Sequence, residues 1–126
     1  MTPHHARKKC RITKSFTFDS AHWLPEVPEG HKCGRLHGHT YKVTLGLEGE
    51  LDERLGWVQD FGEVSRAFRP LYEAMDHRCL NEIEGLENPT AEVMAVWIYD
   101  KLKDVLPLLT DVSVCETPTA EAIYRP

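Results

Sequence analysis

The hydrophobic period changes twice along this chain, from two residues to 3.6 and back again, and that change restricts the fold more than any residue count. Ile12, Phe16, Phe18, Ser20 and His22 share one parity, while Thr13, Ser15, Thr17 and Asp19 share the other. Successive strand side chains point to opposite faces, so this is a strand with one mostly apolar face and one face of small polar residues. Leu24–Leu36 contains Pro25, Pro28, Gly30 and Gly34 and reads as a loop, of a length that is often functional. A second strand pattern follows, with His37, His39, Tyr41, Val43, Leu45 and Leu47 on one face and Thr40, Lys42, Thr44 and Glu48 on the other. Glu50–Gly56 is a turn region, and Trp57–Phe61 is expected to extend a strand. Val64, Ala67, Phe68, Leu71, Tyr72 and Met75 then recur at helical spacing. Pro70 is expected to kink that helix, because it removes a donor and crowds the preceding turn. Asn81–Asn88 reads as a loop, and Asn88-Pro89-Thr90 as the start of a second helix with Pro near its first position. Its expected buried stripe is Met94, Trp97, Ile98, Leu102 and Val105, with Pro107 as the stop. Val112 and Val114 open a third strand and Ala122–Tyr124 a fourth, joined by a turn at Thr117–Thr119.

The order β-β-α-α-β-β predicts an α+β fold, an antiparallel sheet with two helices on one face. Two helices cover only one side, so Thr13, Ser15, Thr17, Thr40, Lys42 and Thr44 would lie on a face that meets water or a wet channel. The sheet would also have free edges, which natural proteins usually hide. Edge-to-edge assembly of several copies into a closed barrel would cover both. With 126 residues the chain is one domain, expected over residues 11–126 after a flexible arm, 1–10, that carries His4, His5, Arg7, Lys8 and Lys9. A net charge of −5 argues against a nucleic-acid binder, which normally presents a basic face. No apolar run approaches the length of about 20 that a membrane span needs, and Met1–Cys10 contains no apolar signal region. The expected compartment is the cytoplasm. Cys10, Cys33, Cys79 and Cys115 form no C-x-x-C pair and are expected to be free thiols, three of them small buried hydrophobes.

The chemistry concentrates in His37-Gly38-His39. Residues i and i+2 of a strand share a face, about 6.6 Å apart in rise, so two imidazoles placed in this way can converge on one ion. Gly38 permits close approach of a ligand or another backbone. His22 ends the first strand on the apolar parity and can reach the same point if the two strands pair. Three neutral imidazoles without a fourth protein ligand describe a catalytic zinc site with an open position. Cys33 leaves two readings. As a fourth ligand it would close the site into a structural one. Beside Lys32 and Arg35 it would instead be a reactive thiolate. His31, in the same loop, reads as a surface residue. Asp76-His77 ends the first helix, where His77 either complements the helix dipole or, oriented by the carboxylate, transfers protons. Glu116 shares the parity of Val112 and Val114 at the edge of the apolar face. Buried there it needs a partner: a guanidine-like edge that binds a carboxylate through two hydrogen bonds, or an internal Arg78 or Arg125.

Phe18-Asp-Ser-Ala-His22, His31-Lys-Cys-Gly-Arg-Leu-His37-Gly-His39, Trp57-Val-Gln-Asp-Phe-Gly62, Met75-Asp-His77, Leu80-Asn81, Asn88-Pro-Thr-Ala-Glu92 and Glu116-Thr-Pro-Thr-Ala120 together resemble the 6-pyruvoyl-tetrahydropterin synthase / 6-carboxytetrahydropterin synthase family, from Ser15 to Tyr124. The spacing Cys33-x-x-x-His37-Gly-His39 and the Glu116-Thr-x-Thr ending are similar to the branch that makes 6-carboxy-5,6,7,8-tetrahydropterin for 7-deazaguanine (queuosine) synthesis. The resemblance implies the tunnelling fold, with trimers closing a barrel and two trimers stacking into a hexamer. It implies a zinc lyase that takes 7,8-dihydroneopterin triphosphate to 6-carboxytetrahydropterin, acetaldehyde and triphosphate. Zinc would sit on His22, His37 and His39. Cys33 would accept a proton, His77 set by Asp76 would pass protons on the other side of the substrate, and Glu116 with Thr117 would hold the pterin, Glu116 also taking part in the proton relay. Members of the family often have a second histidine and then a tyrosine after Asp-His, where this chain has Arg78 and Cys79.

Overall fold

The computed structural model describes residues 7–126, and His4 and His5 lie outside them. Four strands, β1 (Lys9–His22), β2 (His37–Glu50), β3 (Leu109–Thr117) and β4 (Ala120–Tyr124), form one antiparallel sheet in the order β1-β2-β3-β4. Helices α1 (Phe61–Met75) and α2 (Ala91–Leu102) lie between β2 and β3 in sequence and pack on one face of the sheet. Tyr41, Val43, Leu45 and Leu47 of β2 are fully buried under Val64, Phe68 and Met75 of α1 and Met94 and Ile98 of α2. Phe16 stacks on Phe68 with ring centroids 4.3 Å apart. No helix among the described residues is long and apolar enough to cross a membrane.

Several element boundaries differ from the sequence pattern, each for a local reason. Lys9 and Cys10 pair with Glu50 and Gly49, so the last two residues of the expected arm belong to β1. Trp57–Phe61 forms no strand. The Trp57 carbonyl closes a turn onto the Asp52 N–H at 2.9 Å, and Asp60 Oδ1 accepts from the Gly62 N–H at 2.9 Å. That cap starts α1 at Phe61, one turn earlier than the apolar spacing suggests. Pro70 lies inside α1, which continues to Met75. Thr90 caps α2 by accepting the Val93 N–H at 3.1 Å, so Pro89 precedes the cap instead of occupying the first turn. The helix ends at Leu102, before Pro107, and Val105 is 61% exposed. All four cysteines are free, but Cys10 is exposed and the other three are half-buried, so the expected burial is not found.

The opposite face of the sheet is polar. Ser15 and Thr44 share a hydroxyl hydrogen bond of 2.8 Å across β1 and β2. Further along, the Arg11 guanidinium donates two hydrogen bonds to the buried Asp111 carboxylate, one of them from Nε at 3.1 Å. Burial pushes the Asp111 carboxyl up, but the Arg11 bond and the Thr110 hydroxyl outweigh it and hold it below the usual range. Gly46 makes room for this pair, because a Cβ there would fall on the guanidinium and 2.5 Å from Asp111 Oδ1. Gly46→Ala is therefore expected to cost about 2 kcal/mol, the scale of forcing an extra methyl group into filled space, read as a lower urea midpoint at unchanged m-value.

Candidate metal centre

The apolar faces of β1 and β2 run out into histidines at one end of the sheet. The register sets His22 opposite His37 and Ser20 opposite His39, so the three rings share the core face. Their centroids form a near-regular triangle: 4.6 Å from His22 to His37, 5.1 Å from His22 to His39 and 4.9 Å from His37 to His39. Backbone carbonyls fix two of the tautomers. His22 Nδ1 lies 2.8 Å from the Pro89 carbonyl and His37 Nδ1 lies 2.7 Å from that of Arg35. A carbonyl only accepts, so each Nδ1 carries the proton and each Nε2 presents a lone pair. Buried Tyr41 Oη is 3.2 Å from the same His22 nitrogen. Burial, and secondarily the Glu116 charge, push its phenol well up, so it stays neutral.

The two Nε2 atoms of His22 and His37 are 3.1 Å apart. Lone pairs facing at that distance repel unless a proton or a cation lies between them. Burial lowers the pKa of His22 and His39 and disfavours the proton. His39 Nε2 is buried without a hydrogen-bond partner. Glu116 Oε1 lies 3.0 Å from it and 3.3 Å from His22 Nε2. Each of His22, His37, His39 and Glu116 offers one ligand atom, and these atoms all lie within 4.8 Å of one another. An orphaned imidazole nitrogen, two fixed tautomers and a carboxylate are a donor set suited to zinc.

Glu116 owes its position to a bulge. β3 pairs Cys115 with Glu121 and Thr117 with Ala120, which leaves Glu116 as the extra residue, and bulges re-aim side chains in this way. Its carboxylate meets the histidines and neither Arg78 nor Arg125. The latter reaches Glu48 at 4.0 Å. Glu116 and Thr117 also line a cleft of about 630 Å³ with His39, Lys42 and Cys115.

Cys33 stands outside the cluster, half-buried in the short 3-10 turn Lys32–Gly34. Exposed His31 caps this turn, its Nδ1 accepting the Cys33 N–H at 3.0 Å. The Cys33 carbonyl accepts the Leu24 N–H at 2.8 Å. Asp76 and His77 stand apart from the cluster too. They follow α1 and dock on the outer edge of β1: Asp76 Oδ1 accepts the Asp19 N–H at 3.2 Å, and the His77 N–H reaches the Asp19 carbonyl at 2.7 Å. Arg78 O and Cys79 continue the contact through Ala21. Since backbone makes these last contacts, the unusual side chains at 78 and 79 leave the docking intact. His77 Nδ1 lies 2.9 Å from Asp76 Oδ1, a bond that holds the Asp76 carboxyl below its ordinary value. His77 adopts φ 57° and lines a separate cleft of about 500 Å³ with Asp19, Gly38, His39 and Thr40.

Sequence patterning does not reveal Asn81 as a fastener of this end of the molecule. Its Oδ1 accepts the Trp23 N–H at 3.0 Å, and its Nδ2 donates to the Trp23 carbonyl at 2.7 Å. One side chain thus substitutes for a ladder partner, directly between His22 and the Leu24–Cys33 bond. The contact spans 58 residues, and nothing local encodes it. Asn81→Ala removes two bonds worth about 1 kcal/mol each. The expected result is roughly thirtyfold faster hydrogen exchange at the Trp23 amide, measured by mass spectrometry.

Fold and site together define a small α+β domain with a candidate metal centre at one end of its sheet. The family described as 6-pyruvoyl tetrahydropterin synthase matches residues 11–126, and the chain belongs to that family. It is 40% identical over 119 residues to the 6-carboxy-5,6,7,8-tetrahydropterin synthase of Synechocystis sp., covering 90% of this chain and 91% of that one. It is 35% identical over 99 residues to the dihydroneopterin monophosphate aldolase of Pyrococcus furiosus, covering 79% and 80%. The structure of Caenorhabditis elegans 6-pyruvoyl tetrahydropterin synthase superposes with a TM-score of 0.88 at 26% identity, covering 96% of this chain and 98% of that one.

Proposed function

We propose that this protein is a zinc-dependent carbon–carbon lyase that converts 7,8-dihydroneopterin triphosphate and one water to 6-carboxy-5,6,7,8-tetrahydropterin, acetaldehyde and triphosphate, a step of 7-deazaguanine (queuosine) synthesis. The observation that carries this reading is the convergence of three imidazoles, two of them with tautomers set by backbone carbonyls and the third with a buried, unpartnered Nε2. Likeness to the Synechocystis synthase supports the choice of product. His22, His37 and His39 would hold zinc, which when bound supplies Lewis acidity to the substrate's side-chain oxygens and acidifies neighbouring C–H and O–H groups. Cys33 is assigned as proton acceptor and His77, oriented by Asp76, as the second proton carrier. Glu116 and Thr117 are assigned to the pterin's guanidine-like edge.

The same reading includes a homohexamer of two stacked trimers. The polar sheet face favours a wet lumen, and the edge strands carry matched charge. The groove beside β1 presents Lys14 and Arg69, and the groove beside β4 presents Glu92 and Glu121. Such edges fit head to tail and close a ring.

Incubation of the zinc-loaded protein with dihydroneopterin triphosphate tests the chemistry. Acetaldehyde and 6-carboxytetrahydropterin are expected. A product that loses triphosphate and keeps its three-carbon side chain would assign the chain to the pyruvoyl-type reaction, and no turnover would overturn the enzymatic reading.

A further inference from the structure

We propose that Glu116 gates the metal centre: its carboxylate completes the coordination while the adjacent cleft is empty, and leaves it when a pterin's guanidine-like edge arrives. The inference rests on the pterin reading above and extends it.

Three observations lead there. First, Glu116 Oε1 is 3.0 Å from His39 Nε2 and 3.3 Å from His22 Nε2, yet neither contact is an ordinary imidazole–carboxylate hydrogen bond. The His22 proton is committed to the Pro89 carbonyl on the other side of the ring, and His39 Nε2 has no hydrogen-bond partner. The His22 Nε2 lone pair, the unpartnered His39 Nε2 and a carboxylate oxygen therefore face a common point, as ligands around a cation do. Second, Glu116 is the extra residue of the β3–β4 bulge, so its direction is less constrained by the ladder than that of its neighbours. Third, the side chain is 27% exposed and opens onto the cleft it shares with Thr117, Lys42 and Cys115. One carboxylate thus borders both the candidate metal position and the space for a ligand.

A guanidine-like edge offers two parallel N–H donors, the shape that a carboxylate binds most strongly. Rotation of the Glu116 side chain toward that edge exchanges one partner for another and frees a position for a substrate oxygen. The open coordination site of a catalytic zinc would then exist only when the correct heterocycle is in place, and the resting protein would keep its ion in a closed shell.

The protein loaded with Co2+ reports the coordination shell through its visible absorption. Unsubstituted pterin, which lacks the reactive side chain, reports binding through its fluorescence. Glu116→Gln is expected to show an altered Co2+ spectrum before any ligand is added. It should also bind the metal at least about tenfold more weakly in chelator competition. Pterin is expected to shift the wild-type spectrum toward that of Glu116→Gln. Identical resting spectra and metal affinities for the two proteins would overturn the gate and leave the pterin reading intact. So would pterin that binds wild type by fluorescence without changing its spectrum. Failure of pterin to bind wild type at all would instead remove the pterin reading and the gate with it.

Discussion

Cys33→Ala is expected to retain its zinc and to lose about three orders of magnitude in turnover, the range associated with removal of a positioned base. The thiol belongs to a separate 3-10 turn and is not among the four clustered donors. Deleting it removes no ligand from the group formed by His22, His37, His39 and Glu116. A structural zinc module would behave in the opposite way, because a cysteine in the coordination shell cannot be deleted without loosening the ion. Metal content by elemental analysis, measured beside steady-state rates on one preparation, separates the two. Loss of zinc in step with activity would make Cys33 a ligand and remove the catalytic assignment. Unchanged turnover would remove its role as a base.

His39→Ala is expected to weaken metal binding by more than about a hundredfold, beyond the range found for outer partners alone, and to abolish turnover at ordinary zinc concentrations. A related effect appears in metal-free protein. Burial lowers the pKa of His22 and His39 below the ordinary histidine value, so the unfolded chain takes up protons near pH 6.5 before the native state does. Stability contributed by these neutral rings is complete above that pH and is lost as pH falls below it. Urea midpoints of the metal-free protein should therefore drop between pH 8 and pH 5, and His39→Ala should flatten part of that slope. A slope unchanged by the substitution would show that His39 contributes nothing to it.

Much of the architecture is legible in the chain because both sheet strands of the first half have two unlike faces. Alternation from Ile12 to His22 and from His37 to Leu47 fixes which side is core. The antiparallel register then carries His22, His37 and His39 to one place. What periodicity does not supply is anything made by a single polar contact. Asp60 and Thr90 set the helix starts by capping, and both caps lie outside the apolar patterns that mark the helices. The Trp57–Phe61 segment looks strand-like until that cap is known. Pro89 and Asn81 act on residues 67 and 58 positions away, distances over which a sequence pattern has no reach. The aim of Glu116 depends on one unpaired residue between Cys115 and Thr117. Parity alone puts it at the margin of the apolar face but gives no indication that its neighbours there are imidazoles.

The left-handed backbone at His77 determines which substitution there is informative. An L-residue at φ 57° is uncommon: asparagine, aspartate and histidine adopt that region several-fold more readily than other residues, and β-branched residues hardly at all. His77→Asn would keep the peptide N–H on the Asp19 carbonyl and remove only the imidazole, whereas His77→Val would also strain the backbone by about 1–2 kcal/mol and loosen the Asp76–Cys79 segment on the sheet edge. Comparison of the two distinguishes a lost proton carrier from a lost seam, a distinction that alanine scanning at this position would blur.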